Sequence, residues 1–328
     1  MKVLSTVKLD LNYKKKIEEL VGELKVEDWI ENDKLYTSDE LLEKIKEEDI
    51  KILICEVEVL REDFFEAVKG LELICCVRGN PVNIDVEAAD KTNIMVTSCP
   101  GRNAIAVTEL TIGLMISLAR NVIIAHNIVQ NGEWRGLEGV VTAKGIELAG
   151  KTVGIVGLGA IGYRVAKILK TMGMDILVYD PYVNPKRVED VKAKVVNLEI
   201  LMKESDFITI HAVYNKETKG LISSDMIELM KPSAFFINIA RSRITDEKAL
   251  VKALKEHKIA GAAIDVYNIE PTGRRGSPFK GLDDVITTPH IGGSTAEVEI
   301  HYSEMVYDAI KDYLEGKIPK NIRKKNII

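Results

Sequence analysis

Near-continuous apolar runs alternate along this chain with amphipathic stretches of helical period. The runs at residues 50–57, 71–77, 94–98, 152–156, 176–179, 207–211, 234–239, 260–266 and 285–288 show little polar alternation, the pattern of parallel strands covered on both faces. Between two of them Ile161, Val165, Ile168, Leu169 and Met172 recur at a spacing that lines one side of a helix. Strands alternating with helices predict an α/β fold, here two Rossmann-like or flavodoxin-like domains with parallel sheets. A polar connection at 131–150 separates a first β/α series from a second that starts at Thr152. An apolar helix over 103–120 bridges the two, and an amphipathic helix over 297–314 is expected to return to the first. The second domain, 103–296, is thus read as inserted into a first made of 1–102 and 297–328. Lys317, Lys320, Arg323, Lys324 and Lys325 read as a solvated basic tail.

Charge and cysteine content narrow the partners. With 45 Lys and Arg against 50 Asp and Glu, the net charge of −5 provides no overall basic field, so neither nucleic acid nor an anionic membrane is expected to bind. Cys55, Cys75, Cys76 and Cys99 show no metal-binding spacing and sit in or beside apolar strands; buried reduced thiols are expected, and no metal. The start of the chain has no signal-like apolar stretch, because its short apolar run soon meets Asp10 and lysines. The longest uncharged apolar run, 110–119, is far short of the ~18 residues a membrane span needs. A cytoplasmic protein is expected.

Two glycine-rich segments invite a phosphate-binding reading. GIELAGKT at 145–152 fits the phosphate-loop spacing, but Lys151 and Thr152 lead into a strand rather than a helix, which is the wrong context for that loop. GLGAIG at 157–162 follows a strand and opens a helix. There Gly157 permits the tight turn, Gly159 lets backbone approach a pyrophosphate, and Gly162 lets helix pack on strand. Asp180 ends the next strand, where its carboxylate can accept from both ribose hydroxyls and repels a 2′-phosphate, so the cofactor expected is NAD.

A dinucleotide site calls for an acid/base and a cation near the substrate, and three strand ends supply candidates. FFINIA ends at Arg241; GAAIDV contains Asp265 and runs on to Glu270 and Pro271; VITTP delivers His290. Alone, any of these could be structural or a surface charge. His126 and His301 lie in helical patterns, His257 among charges, and His211 at a strand end with no acid/base role assigned.

Taken in order, Arg102-Asn103, Gly132-Glu133-Trp134-Arg135, the glycine loop, Arg241, Glu270-Pro271 and Pro289-His290 resemble the D-isomer-specific 2-hydroxy-acid dehydrogenases over nearly the whole chain. The resemblance implies that His290 is the general acid/base at the C2 oxygen, that Glu270 orients its ring, and that Arg241 binds the substrate carboxylate. It places Ala160, Ile161, Ala212, Ile239, Ala240, Asp265, His290 and Gly292 along the cofactor with the glycines and Asp180. It places Arg78, Gly79, Asn80 and Asn103 on the substrate, a small anionic 2-hydroxy acid. It also implies a homodimer formed through the cofactor domain, with the helix at 104–118 and Trp134 as the contact region.

Three departures from the family pattern stand out. Ser242 replaces a usual glycine after Arg241; Arg78, Asn80 and Pro81 occupy a loop usually richer in glycine; and Glu56 stands where phosphoglycerate-specific members carry an arginine. D-3-phosphoglycerate is the leading expected substrate, with glyoxylate, hydroxypyruvate or another D-2-hydroxy acid as the alternative. A non-catalytic NAD-sensing protein is the reading from another class.

Overall fold

The computed structural model describes residues 1–323. Each of the nine apolar runs corresponds to a strand, most of them trimmed where their ends enter turns. In chain order the strands are β1 (Lys2–Ser5), β2 (Glu23–Val26), β3 (Ile50–Cys55), β4 (Leu73–Cys76), β5 (Met95–Thr97), β6 (Thr152–Val156), β7 (Asp175–Tyr179), β8 (Lys194–Val195), β9 (Phe207–Ile210), β10 (Phe235–Asn238), β11 (Gly261–Ile264), β12 (Val285–Thr287) and β13 (Ile322–Arg323). They form two sheets, of order β13-β5-β4-β3-β1-β2 and β12-β11-β10-β9-β6-β7-β8. Every pairing among these strands is parallel except that of β13 with β5. The fold is α/β with two mostly parallel sheets. The chain divides into two compact units, Met1–Asn103 with Thr295–Ile328, and Ala104–Ser294.

Continuous apolar runs are needed because successive strand residues face opposite sides. In β10, Phe236 enters one core with Ile208 and Ile264, while Ile237 enters the other with Ile155 and Ala263. Each such side chain, fully removed from water, contributes about 1.5–3 kcal/mol. The first unit has its own core around Leu53, Ile74, Phe64 and Phe65. All four cysteines are free and buried, and burial pushes the Cys75 thiol up to about 12.

Several expectations need correction. The connection at 131–150 contains a short helix, Leu137–Thr142. The expected basic tail is partly structural: β13 adds to the first sheet, and Arg323 is half-buried. Lys324 and Lys325 lie outside the described residues. The bridging helix, Ala104–Ala119, buries Ala104, Val107, Thr111, Leu114, Met115 and Leu118 and leaves Ile105 exposed. The following helix, Val122–Gln130, buries none of its residues. No single helix among the described residues is long and apolar enough to cross a membrane; those two pass only as a pair bent by 66°.

Candidate active site

In the second sheet the chain runs from β6 outward to β7 and β8, then returns to lay β9 on the other side of β6. Such a reversal opens a crevice at the carboxyl ends of the strands. Gly157 turns there with φ of +94°, and a Cβ on it would lie 2.8 Å from the Ala212 nitrogen. A Cβ on Gly162 would lie 2.1 Å from the Gly157 oxygen, whereas one on Gly159 would meet nothing within 4 Å. Two glycines therefore serve close packing, and the third leaves an open face at the start of helix Ala160–Thr171. Ala160 and Ile161 form that first turn, with N–H groups able to donate to phosphate oxygens.

Asp180 closes one flank of the loop. Its Oδ2 accepts from the Leu158 N–H at 2.8 Å and its Oδ1 from the Tyr182 N–H at 2.9 Å. Arg187 donates to the Leu158 carbonyl at 3.0 Å, so Leu158 is held through both its N–H and its carbonyl. The other glycine segment behaves as its context requires: Thr152 opens β6, and its N–H donates to Asp206 at 2.9 Å.

β10, β11 and β12 are consecutive parallel neighbours, so the segments after them emerge side by side. After β10, the Asn238 side chain accepts from the Ala240 N–H at 3.1 Å and donates to the Arg241 carbonyl at 3.1 Å. Ile239 is buried, Ala240 half-buried and Arg241 exposed, its guanidinium donating to the Ala240 carbonyl at 2.7 Å. Ser242 begins a 3-10 turn and is not among the residues of positive φ, so glycine's conformational freedom is not needed there.

After β11, Asp265 is fully buried. It accepts from the Thr288 hydroxyl at 2.6 Å and from the Ile291 and Gly292 N–H groups at 2.8 Å each. The carboxylate thereby fastens both sides of the turn that carries His290. Glu270 accepts from the Tyr267 N–H at 2.7 Å with Oε1 and sits 2.6 Å from His290 Nδ1 with Oε2. Tyr267 in turn donates to the Thr288 carbonyl at 2.9 Å. His290 itself is left-handed, with φ of +55°, a conformation that costs free energy outside glycine and persists only where surroundings impose it. No described residue bonds its Nε2, and a cavity of about 310 Å³ adjoins the pair. Imidazole and carboxylate together can exchange a proton with a ligand in that cavity, which Arg241, on the segment after β10, does not line.

Arg78, Gly79, Asn80 and Asn103 belong to the first unit. The loop after β4 packs on the segment after β5, a Cβ on Gly79 falling 3.5 Å from the Cys99 carbonyl oxygen. Glu56 pairs with Arg102 at 2.5 Å. Arg78 is half-buried, and its guanidinium makes no hydrogen bond or ion pair with any described residue. Asn80 is exposed and Asn103 half-buried.

The family model of the D-isomer specific 2-hydroxyacid dehydrogenase, NAD binding domain, matches residues 112–292. The chain belongs to that family. It is 41% identical over 308 residues to the D-3-phosphoglycerate dehydrogenase of Methanocaldococcus jannaschii, covering 94% of this chain and 56% of that protein. It is 38% identical over 291 residues to the glyoxylate reductase of Thermococcus litoralis, covering 88% and 87%. Among solved structures, the TT0316 protein from Thermus thermophilus superposes with a TM-score of 0.86 at 31% identity, covering 98% of this chain and 99% of that one.

As a D-2-hydroxyacid dehydrogenase the protein is an NAD-dependent oxidoreductase acting on CH–OH donors, and its glycine loop leaves an open face at Gly159, where a Cβ would meet nothing within 4 Å and backbone is free to approach a dinucleotide. Sequence reading did not single out Asn238, Tyr267 or Thr288. Asn238 could be suspected from a polar residue closing an apolar run; the other two carry no local signal. His211 is buried, its Nε2 3.0 Å from the Thr209 hydroxyl, and burial pushes it down to about 3. It is therefore neutral near pH 7.

Proposed function

We propose that this dehydrogenase interconverts an anionic D-2-hydroxy acid and its 2-oxo acid, with D-3-phosphoglycerate as the leading substrate. The observation that carries the reading is the His290–Glu270 pair, 2.6 Å apart, on the turn after the strand next to the one preceding Glu270. NAD, when bound, supplies or takes up the hydride. His290 Nε2 gives a proton to the C2 oxygen during reduction and removes it during oxidation. Glu270 holds Nδ1 as the proton-bearing nitrogen and stabilises the imidazolium that forms in the oxidative direction. Arg241 binds the substrate carboxylate with a guanidinium whose geometry suits it. Asp265, assigned to the nicotinamide by resemblance, supports this reaction by fixing the His290 turn. Gly79 and Asn80 amides, with Arg78 and Asn103, are the substrate-holding set of the first unit.

Two observations bear on the substrate. Arg102 is neutralised by Glu56, which leaves Arg78 as the loop's unpaired cation for a distal anion. The Glu56–Arg102 pair, however, offers no net positive charge to a phosphate close to β3, which favours the second reading, a glyoxylate or hydroxypyruvate reductase. Phosphohydroxypyruvate, hydroxypyruvate and glyoxylate compared by NADH absorbance decide the matter. The expected result is the highest kcat/KM for phosphohydroxypyruvate, a preference removed by Arg78→Ala. Equal losses on all three place glyoxylate or hydroxypyruvate first. NADH binding without turnover of any 2-oxo acid overturns the enzymatic reading.

We further propose a homodimer. The expected contact helix at 104–118 buries much of its apolar side internally but leaves Ile105 exposed, and the next helix extends that apolar surface. Val122, Ile123 and Val129 there, with Trp134, Leu137 and Val141, are exposed as an apolar group that a second copy of the chain would cover. Sedimentation should find a dimer that Trp134→Glu converts to monomer; an unchanged dimer would place the contact elsewhere.

A further inference from the structure

We propose that Arg323 is a positioning residue that aims the substrate-receiving amide of Asn80, an inference whose substrate half rests on the function proposed above. β13 runs antiparallel to β5, pairing Ile322 with Thr97 and Arg323 with Val96. The Ser98 N–H donates to the Asn321 carbonyl at 3.1 Å. From this anchored strand the Arg323 guanidinium donates Nε to Ser98 Oγ at 2.6 Å and an Nη to the Gly79 carbonyl at 3.0 Å.

The Gly79 carbonyl and the Asn80 N–H belong to one planar trans peptide and point in opposite directions. A cation holding the carbonyl on one side therefore aims the N–H to the other, and polarises it into a stronger donor. The preceding peptide is held in the same manner, because the Cys99 N–H donates to the Arg78 carbonyl at 2.8 Å and so fixes the Gly79 N–H. Neither the Gly79 nor the Asn80 N–H has an acceptor among the described residues. Two adjacent donors, each fixed through its own carbonyl and left unpaired, suit a carboxylate. The basic residue that charge pattern assigns to solvent is instead the fixed support of this loop.

Arg323→Ala, Arg323→Lys and the native protein are compared by steady-state kinetics and by hydrogen exchange at residues 78–84 and 98–99. For Arg323→Ala the KM for the 2-oxo acid should rise about tenfold, as expected for losing a charge-assisted hydrogen bond. KM for NADH and kcat should stay near native, and lysine should restore part of the loss. Amides at 78–84 and 98–99 should exchange faster while those of the second unit do not change. An unchanged KM for the 2-oxo acid overturns the proposal, as does an equal rise in both KM values with a general loss of thermal stability. If the native protein reduces no 2-oxo acid, the function proposed above falls, and the exchange comparison alone judges Arg323: native rates at 78–84 in Arg323→Ala overturn it.

Discussion

His290→Asn should lower kcat for 2-oxo-acid reduction by about 10²–10⁴-fold, the usual worth of a positioned acid/base. Asparagine is the informative replacement because it tolerates the left-handed backbone that His290 adopts at φ +55°. The turn itself is held by the Asp265 carboxylate through Thr288, Ile291 and Gly292, so it survives loss of the imidazole. What disappears is Nε2 and the proton it carries. Cofactor affinity, which the proposed reading places on the glycine loop, should be preserved, as an NADH fluorescence titration reads separately from turnover. A kcat within tenfold of native would assign the proton to another group.

Gly162→Ala should weaken NADH binding by at least about tenfold and lower the thermal midpoint. The added methyl would sit 2.1 Å from the Gly157 oxygen and 3.2 Å from both the Gly157 carbonyl carbon and Ile155 Cγ2. The nearest atoms are backbone, so no rotamer change relieves the clash. Either the helix Ala160–Thr171 retreats from β6 or the turn at Gly157 opens, and overpacking of this kind costs about 1–3 kcal/mol. Both responses spoil the cradle. A native dissociation constant for NADH in this variant would show that the dinucleotide does not use this loop.

The sequence disclosed elements in proportion to how much apolar surface they bury. β3, β6 and β9 are near-continuous apolar runs buried on both faces, interrupted only by Lys51, Thr152 and Thr209, and they are legible without any partner. β2 reads ELKV with an exposed, half-buried alternation, and β8 and β13 are two-residue pairings, so none of the three offers a run to detect. β13 was further disguised by its basic neighbourhood, since nothing local distinguishes an arginine reaching Ser98 and Gly79 from one in solvent. Helix Leu137–Thr142 hid in a polar stretch for the same reason. At the site, the residues proposed to carry chemistry stand in ordered motifs. Several of the residues that hold them do so through contacts 20 or more positions apart, as Asp265 does with Gly292 and Tyr267 with Thr288. Such partnerships come from strand order, which periodicity does not encode. The Arg102–Glu56 pair is a similar case: both charges were visible, but their pairing was not.

That Arg241, Asp265 and His290 follow β10, β11 and β12 in succession has one more implication. Adjacent strands stand about 4.8 Å apart, a spacing fixed by main-chain hydrogen bonding rather than by side-chain choice. The sheet thus works as a ruler that spaces cation, brace and imidazole. Evolution can retune what such an enzyme reduces by rewriting loops elsewhere, leaving the graduation of that ruler untouched.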